Sequence, residues 1–270
     1  MNRRWVCNDV WMDILPCFDH AQLGLKLALL SPRFDTLVNK HFDGKKELTL
    51  WRPIGIRKDI DMMAKLFVGS KSEGFPLPDC PLPNKIHFKD LTIAYIDHSV
   101  ITFLHSNQPI FDRRGTNLSL WIPKVQRIWD VFVDGIWPIF APNIRHINFC
   151  DVQQLYCLRD RTSPTILTDL NQLNSICPGH PLSYDMFGDN NDGPNAIADQ
   201  MLSKWLQTPS SDGQPKRLFP RNLNDRWFDN FKEAFLRAKA SSSASYEIHY
   251  YVHAAPTSIE PFELVNERTN

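Results

Sequence analysis

The chain has 270 residues, 43% of them hydrophobic, with 30 basic and 30 acidic side chains. That length carries one large domain and a small one, and the apolar fraction suffices for a real core. The balanced charge argues against a general nucleic-acid binder and against a polybasic membrane protein.

From the start, residues 6–42 read as three short helical pieces. Asp9 can cap a first piece whose apolar positions Val10, Ile14 and Phe18 recur every four residues. Pro16 is expected to end or kink it, because proline removes a backbone donor and clashes with the preceding turn. Asp19 and Gln22 have capping-box spacing and open a second piece lined by Leu23, Leu27 and Leu30. Ser31-Pro32 reads as an N-cap followed by proline at the first helical position, opening a third piece with Phe34, Leu37 and Val38. Helices this short do not bury their apolar faces alone and need the following domain or a partner.

Farther along, Leu48–Trp51 reads as a strand. Ile54–Ser70 reads as a helix with Ile60, Met63, Leu66 and Phe67 inward. The proline-rich stretch 74–84 is a connector. Lys85–Ile93 is extended, and Asp97 caps a helix using Val100, Ile101 and Leu104. Leu118–Ile122 is a strong strand candidate. Val125–Trp137 is the clearest helix, with Val125, Ile128, Trp129, Phe132, Val133, Ile136 and Trp137 inward and Pro138 as its stop. Arg145–Cys150 is a strand and Leu167–Ile176 a helix. A weaker strand at Leu182–Phe187 and a helix at Ala196–Leu206, capped by Asn195, follow. The chain then alternates between a strand at Lys216–Phe219, a Trp227-containing helix opened by Asn224 or Asp225, and strands at Tyr246–Val252 and Pro261–Val265.

The strand centres lie about 29–37 residues apart, inside the 20–50-residue period of solenoids. The pattern is that of an irregular leucine-rich-repeat-like array of strand, loop and helix, although the strict Leu-x-x-Leu-x-Leu-x-x-Asn signature is absent. A compact α/β domain built from the same elements is the competing fold.

Markers of catalysis are missing: there is no Gly-x-Ser-x-Gly, no P-loop and no Gly-x-Gly-x-x-Gly. Cys150, Cys157, Cys177 and His180 fit no zinc spacing, and Gly188–Gly193 fails the EF-hand pattern at its first ligand position. No catalytic residue, cofactor or metal is therefore expected. The six cysteines form no Cys-x-x-Cys pair and read as buried free thiols in a reducing compartment. With no signal-peptide core and no apolar run near the ~18 residues of a membrane span, a cytoplasmic or nuclear protein is expected, without membrane association.

The segment Leu23-x-x-x-Leu27-x-Leu29-Leu30-Ser31-x-Arg33-Phe34 resembles the F-box, the helical module that docks cullin-RING ubiquitin ligase receptors onto a Skp-type adaptor. Asp9-Val10 and Ile14-Leu15 sit where that family has its Glu-Val/Leu and Ile-Leu pairs. Val6-Cys7 replaces the family's opening Leu-Pro, Phe34 replaces its tryptophan, and Pro16 falls inside the first helix. The chain looks most like the divergent F-box families of nematodes. The resemblance implies an F-box over residues 1–43 and a target-binding α/β domain over 44–270. It implies adaptor contact by, or direct support from, Val6, Cys7, Val10, Ile14, Leu15, Leu30 and Phe34. It also implies a cullin as indirect partner and a non-catalytic role as substrate receptor. The other reading is a repeat-type interaction scaffold with no ligase role. What separates the two is whether the apolar face of residues 6–42 stays exposed in the free chain.

Overall fold

The computed structural model describes residues 6–18, 20–43, 48–50, 53–69, 74–83, 86–112, 115–179, 194–220 and 245–249. The chain is mixed α/β and divides into two compact units, Met1–Thr116 with Gly135–Asn143, and Asn117–Asp134 with Ile144–Asn270.

The first unit opens with helices. α1 (Asn8–Ile14) passes directly into a tight 3-10 turn, Leu15–Cys17, with Pro16 in its first turn. The expected break at Pro16 is therefore present. The single turn α2 (His20–Gln22) runs on into a wide π-helical turn, Leu23–Leu27, and a 3-10 turn, Ala28–Leu30. Ser31 is extended, its hydroxyl accepts the Phe34 backbone N–H at 3.4 Å, and α3 (Pro32–Asp43) starts on the proline. Leu15, Leu23, Leu25, Ala28, Leu37, Val38 and Phe42 are buried and form the apolar interior of this stretch.

The strands of this unit make two sheets. β1 (Leu48–Leu50) pairs in parallel with β5 (Ile86–Phe88). In the larger sheet, β6 (Asp90–Ile93) lies parallel to β2 (Ile54–Lys58). Antiparallel partners β3 (Ala64–Val68) and the two-residue β4 (Phe75–Pro76) extend it. The helix expected at Ile54–Ser70 is thus a β-hairpin. Ile54 and Ile56 are buried on a period of two, whereas Ile60 is 98% exposed and Met63 lies at the turn. The helical spacing of Ile60, Met63, Leu66 and Phe67 arises from a turn next to a strand.

Local chemistry builds that turn. Asp59 Oδ1 accepts the Ile60 N–H at 2.8 Å and the Asp59 carbonyl accepts the Met62 N–H at 2.9 Å. Met62 takes a left-handed φ of 66°. Lys65 Nζ reaches Asp59 at 2.7 Å and Asp61 at 2.6 Å. Its hydrogen bonds hold both carboxyls below their usual range.

Beyond β6, Asp97 caps α4 (His98–Ser106) by accepting the Val100 N–H at 3.0 Å and the Ser99 hydroxyl at 2.6 Å. Val100 and Leu104 are buried as expected, while Ile101 is half-buried. Asp97→Ala should cost about 1 kcal/mol, the usual value of an N-cap, read as a lowered urea midpoint at unchanged slope. α5 (Gln108–Asp112) follows and packs on α7 (Trp137–Phe140), Phe111 meeting Phe140 edge-on at 5.1 Å. The helix expected over Val125–Trp137 ends at Gly135, just ahead of Pro138, which stands instead within the first turn of α7, where its missing N–H costs nothing.

The second unit places its strands side by side in chain order: β7 (Thr116–Leu120), β8 (Ile144–Phe149), β9 (Ser175–Cys177), β10 (Lys216–Leu218) and β11 (Tyr246–Ile248). The pairs β8–β9, β9–β10 and β10–β11 are parallel. In β7, Thr116, Leu118 and Leu120 are buried and alternate with half-exposed Asn117 and Ser119. The helices are α6 (Gln126–Gly135), α8 (Val152–Arg161), α9 (Ile166–Asp169) and α10 (Pro194–Gln207). Trp129 is fully buried in α6 and its indole N–H donates to the Pro123 carbonyl at 3.1 Å. Val125, expected inward, is 51% exposed, because α6 begins only after it.

Two other expectations change here. Leu167–Ile176 is not one helix: α9 stops at Asp169, Leu170 and Leu173 enter the core from a turn, and Ile176 is the centre of β9. Asn195 lies inside α10, which starts at Pro194. The strand at Leu182–Phe187, the Gly188–Gly193 loop, the Trp227 helix and the strand at Pro261–Val265 lie outside the described residues. Gly179 has a φ of 85°, and a Cβ there would run into the Phe149 carbonyl, so glycine is required.

Candidate interaction surfaces

Arg33 organises the N-terminal helices. Its Nε donates to Asn8 Oδ1 at 3.0 Å, and a terminal amine donates to the same oxygen at 2.8 Å and to the Val6 carbonyl. The start of α3 is thereby tied to the start of α1. Trp11 packs edge-on against Phe34 at 4.8 Å in the same place.

Against that frame the predicted contact residues separate. Val6, Val10 and Leu30 are exposed, at 40%, 44% and 67%, and Cys7 is exposed beside them in the chain. Ile14 and Phe34 are half-buried. Leu15 has no exposed surface and serves as support from within. Phe18, at 36% exposed, joins the outward apolar set, its fourfold spacing from Val10 and Ile14 being the signal for it. Arg33 was visible in the sequence only as a motif position; its bonds span 25 and 27 residues, which no local pattern encodes.

The second unit carries a polar surface of a different kind. Register aligns His146 with Ser175, Ser175 with Arg217, and Arg217 with Glu247. Laterally aligned residues share a face, so these four cross the sheet in one row. His146 Nδ1 lies 2.7 Å from Ser175 Oγ, Arg217 Nε donates to Glu247 at 3.0 Å, and His249 Nε2 lies 3.0 Å from the same Glu247 oxygen. Those bonds, from His249 and then Arg217, hold the Glu247 carboxyl below its usual range. Phe219 stacks on His249 at 4.8 Å and meets His146 edge-on at 6.1 Å. Nearer β7, Asn148 Nδ2 donates to Ser119 Oγ at 3.3 Å, and Trp121 is 53% exposed.

On the inner side of the same strands sits a charge. Lys216 is buried, and its ammonium donates to the Trp205 carbonyl in the last turn of α10 at 2.6 Å. Burial pushes the Lys216 pKa down to about 8, and pushes that of its neighbour Tyr246 up.

No family model matches the chain, and no curated protein or solved structure matches it either. What the surfaces can do follows from their chemistry. The helical set is apolar and suited to a dry protein contact, whereas the sheet row offers paired donors and acceptors with one aromatic stack. Among the described residues no group of three His, Cys, Asp or Glu could hold a metal, and no helix is long and apolar enough to cross a membrane. All six cysteines are free, but they are not buried as a set. Cys7, Cys17, Cys80 and Cys150 are exposed, Cys157 is half-buried and Cys177 alone is buried.

The Lys216 geometry sets a pH response. Between about pH 8 and the unfolded lysine value near 10.4, the unfolded chain binds the proton and the folded chain does not. Stability should therefore rise across that window, by about 3 kcal/mol. Above pH 10 the sign reverses, because unfolded tyrosine releases its proton while Tyr246 retains it. Thermal melts at low ionic strength should show a maximum near pH 10, and Lys216→Met should flatten its acid side.

Proposed function

We propose that the chain is a non-catalytic substrate receptor of an SCF-type cullin-RING ubiquitin ligase, with residues 1–43 as an F-box that binds a Skp-type adaptor. The observation that carries this reading is the outward apolar set Val6, Val10 and Leu30, on helices braced by Arg33. A scaffold whose N-terminal helices packed on its own repeats would cover those side chains; an exposed apolar set is the usual mark of a protein contact. Within the motif Leu27-x-Leu29-Leu30-Ser31-x-Arg33-Phe34, Leu30 belongs to the outward set and Arg33 is its brace, while Leu27, Leu29 and Phe34 are half-buried.

In this reading the second unit is an irregular leucine-rich-repeat-like array that receives the target. Strands adjacent in chain order support it, because a solenoid lays each repeat beside the last. The exposed end of the row, Arg217 and Glu247 with His249 beside them, is the target-binding surface, with Ser175 buried next to it in the row, and the cullin is reached through the adaptor. The receptor performs no chemistry and works in the cytoplasm or nucleus, where its unpaired cysteines stay reduced. Co-purification of the full chain with its adaptor, alongside Arg33→Ala, tests the module. Arg33→Ala should weaken binding by roughly tenfold while the second unit's melt is unchanged, as expected for loss of a few charge-assisted hydrogen bonds.

A further inference from the structure

We infer that Lys216 and Trp205 frame a binding site for one small monovalent anion of halide size, on the inner side of β10. The inference does not depend on a ligase role. It starts from two buried donors that have too few acceptors. An ammonium offers three N–H groups, and that of Lys216, on a residue 5% exposed, makes one hydrogen bond, to the Trp205 carbonyl. The Trp205 side chain has no exposed surface, and its indole N–H is buried without a hydrogen-bond partner. The ammonium lies over the face of that indole, 5.0 Å from its centre, so the two donor groups are neighbours beneath β10.

The surroundings define the chemistry. Met201, Leu202 and Leu206 flank Trp205 along α10, and Leu218 of β10 is aligned with Ile176 of β9; all five are buried apolar side chains. Burial alone lowers the lysine's proton affinity, with no contribution from a nearby carboxylate. A buried cation is ordinarily paired, and a buried N–H is ordinarily bonded. A water molecule at this place would satisfy the hydrogen bonds; a monovalent anion would also add a full counter-charge to the partial ones supplied by the Trp205 ring face and carbonyl. Two donor groups in an apolar wall suit a spherical ion better than a polyatomic oxyanion, which presents more acceptors than they can fill. The ammonium is held in position by the carbonyl end of α10, where a cation is favoured.

The test is a melting series on the full chain at pH 7 and fixed ionic strength, exchanging sodium gluconate for sodium chloride and then bromide. The wild type should gain roughly 2–4 °C with saturable dependence on halide. Lys216→Met and Trp205→Phe should each melt at a halide-independent temperature. Equal wild-type melting in gluconate and halide, or an unchanged halide response in Lys216→Met, would overturn the site. Should either variant fail to fold, bromide-soaked wild-type crystals decide: an anomalous peak within reach of Lys216 Nζ and Trp205 Nε1 supports it, and a water or no peak there refutes it.

Discussion

Leu30→Glu in the full chain should lower affinity for a Skp-type adaptor by at least about 100-fold, with thermal stability within ~1 kcal/mol of wild type. Leu30 is 67% exposed, so a carboxylate there remains hydrated in the free protein and folding loses little. In the complex the same carboxylate would be buried against an apolar surface without a partner, at a cost of several kcal/mol. Each 1.4 kcal/mol is a factor of ten in affinity. Ile14→Glu should also abolish binding, with a larger loss of stability because Ile14 is half-buried. Leu15→Glu is the contrasting control: Leu15 is fully buried, so that variant should unfold the helical stretch itself. Surface plasmon resonance together with melting of each variant separates the three. Unchanged affinity in folded Leu30→Glu and Ile14→Glu would sink the F-box reading.

Trp129→Ala should destabilise the protein by about 3–5 kcal/mol, the range for deleting a buried large aromatic. Trp129 is fully buried, packs edge-on against Phe132 at 5.5 Å, and its N–H is satisfied by the Pro123 carbonyl. Removing the indole opens a cavity and also leaves that carbonyl without its donor. Trp121→Ala, eight positions earlier but 53% exposed, should change stability by less than about 1 kcal/mol. Urea unfolding of the pair checks this, and similar midpoints for the two would mean that α6 does not pack as described.

The contrast between those tryptophans shows what the sequence could convey. Where one side of an element is buried throughout, its period is legible: Thr116, Leu118 and Leu120 alternate as a strand, and Asp97 announces the helix that it caps. Where an apolar residue is exposed, the period misleads. Ile60 and Met63 completed a helical spacing with Leu66 and Phe67, although they belong to a turn clamped by Asp59, Asp61 and Lys65. Short elements fail for another reason. In β9 all three residues are buried, so no alternation distinguishes strand from helix, and the nearby Leu170 and Leu173 extended a false helical stripe.

The candidate surfaces divide in the same way. The apolar positions Val6, Val10, Ile14 and Leu30 could be picked from spacing and resemblance, because each lies on a short local pattern. The Arg33 brace could not, nor could the row His146, Ser175, Arg217 and Glu247, whose members are brought together by strand register. Lys216 was legible only as part of an extended segment; its burial follows from which face of β10 meets α10.

The most direct test of the receptor assignment is isothermal titration of purified Skp-type adaptor into the folded full chain at several temperatures. Saturable binding at one adaptor per chain is expected, with a negative heat-capacity change, the mark of burying an apolar surface. No saturable binding to the wild-type chain, with its cooperative melt intact, would contradict it.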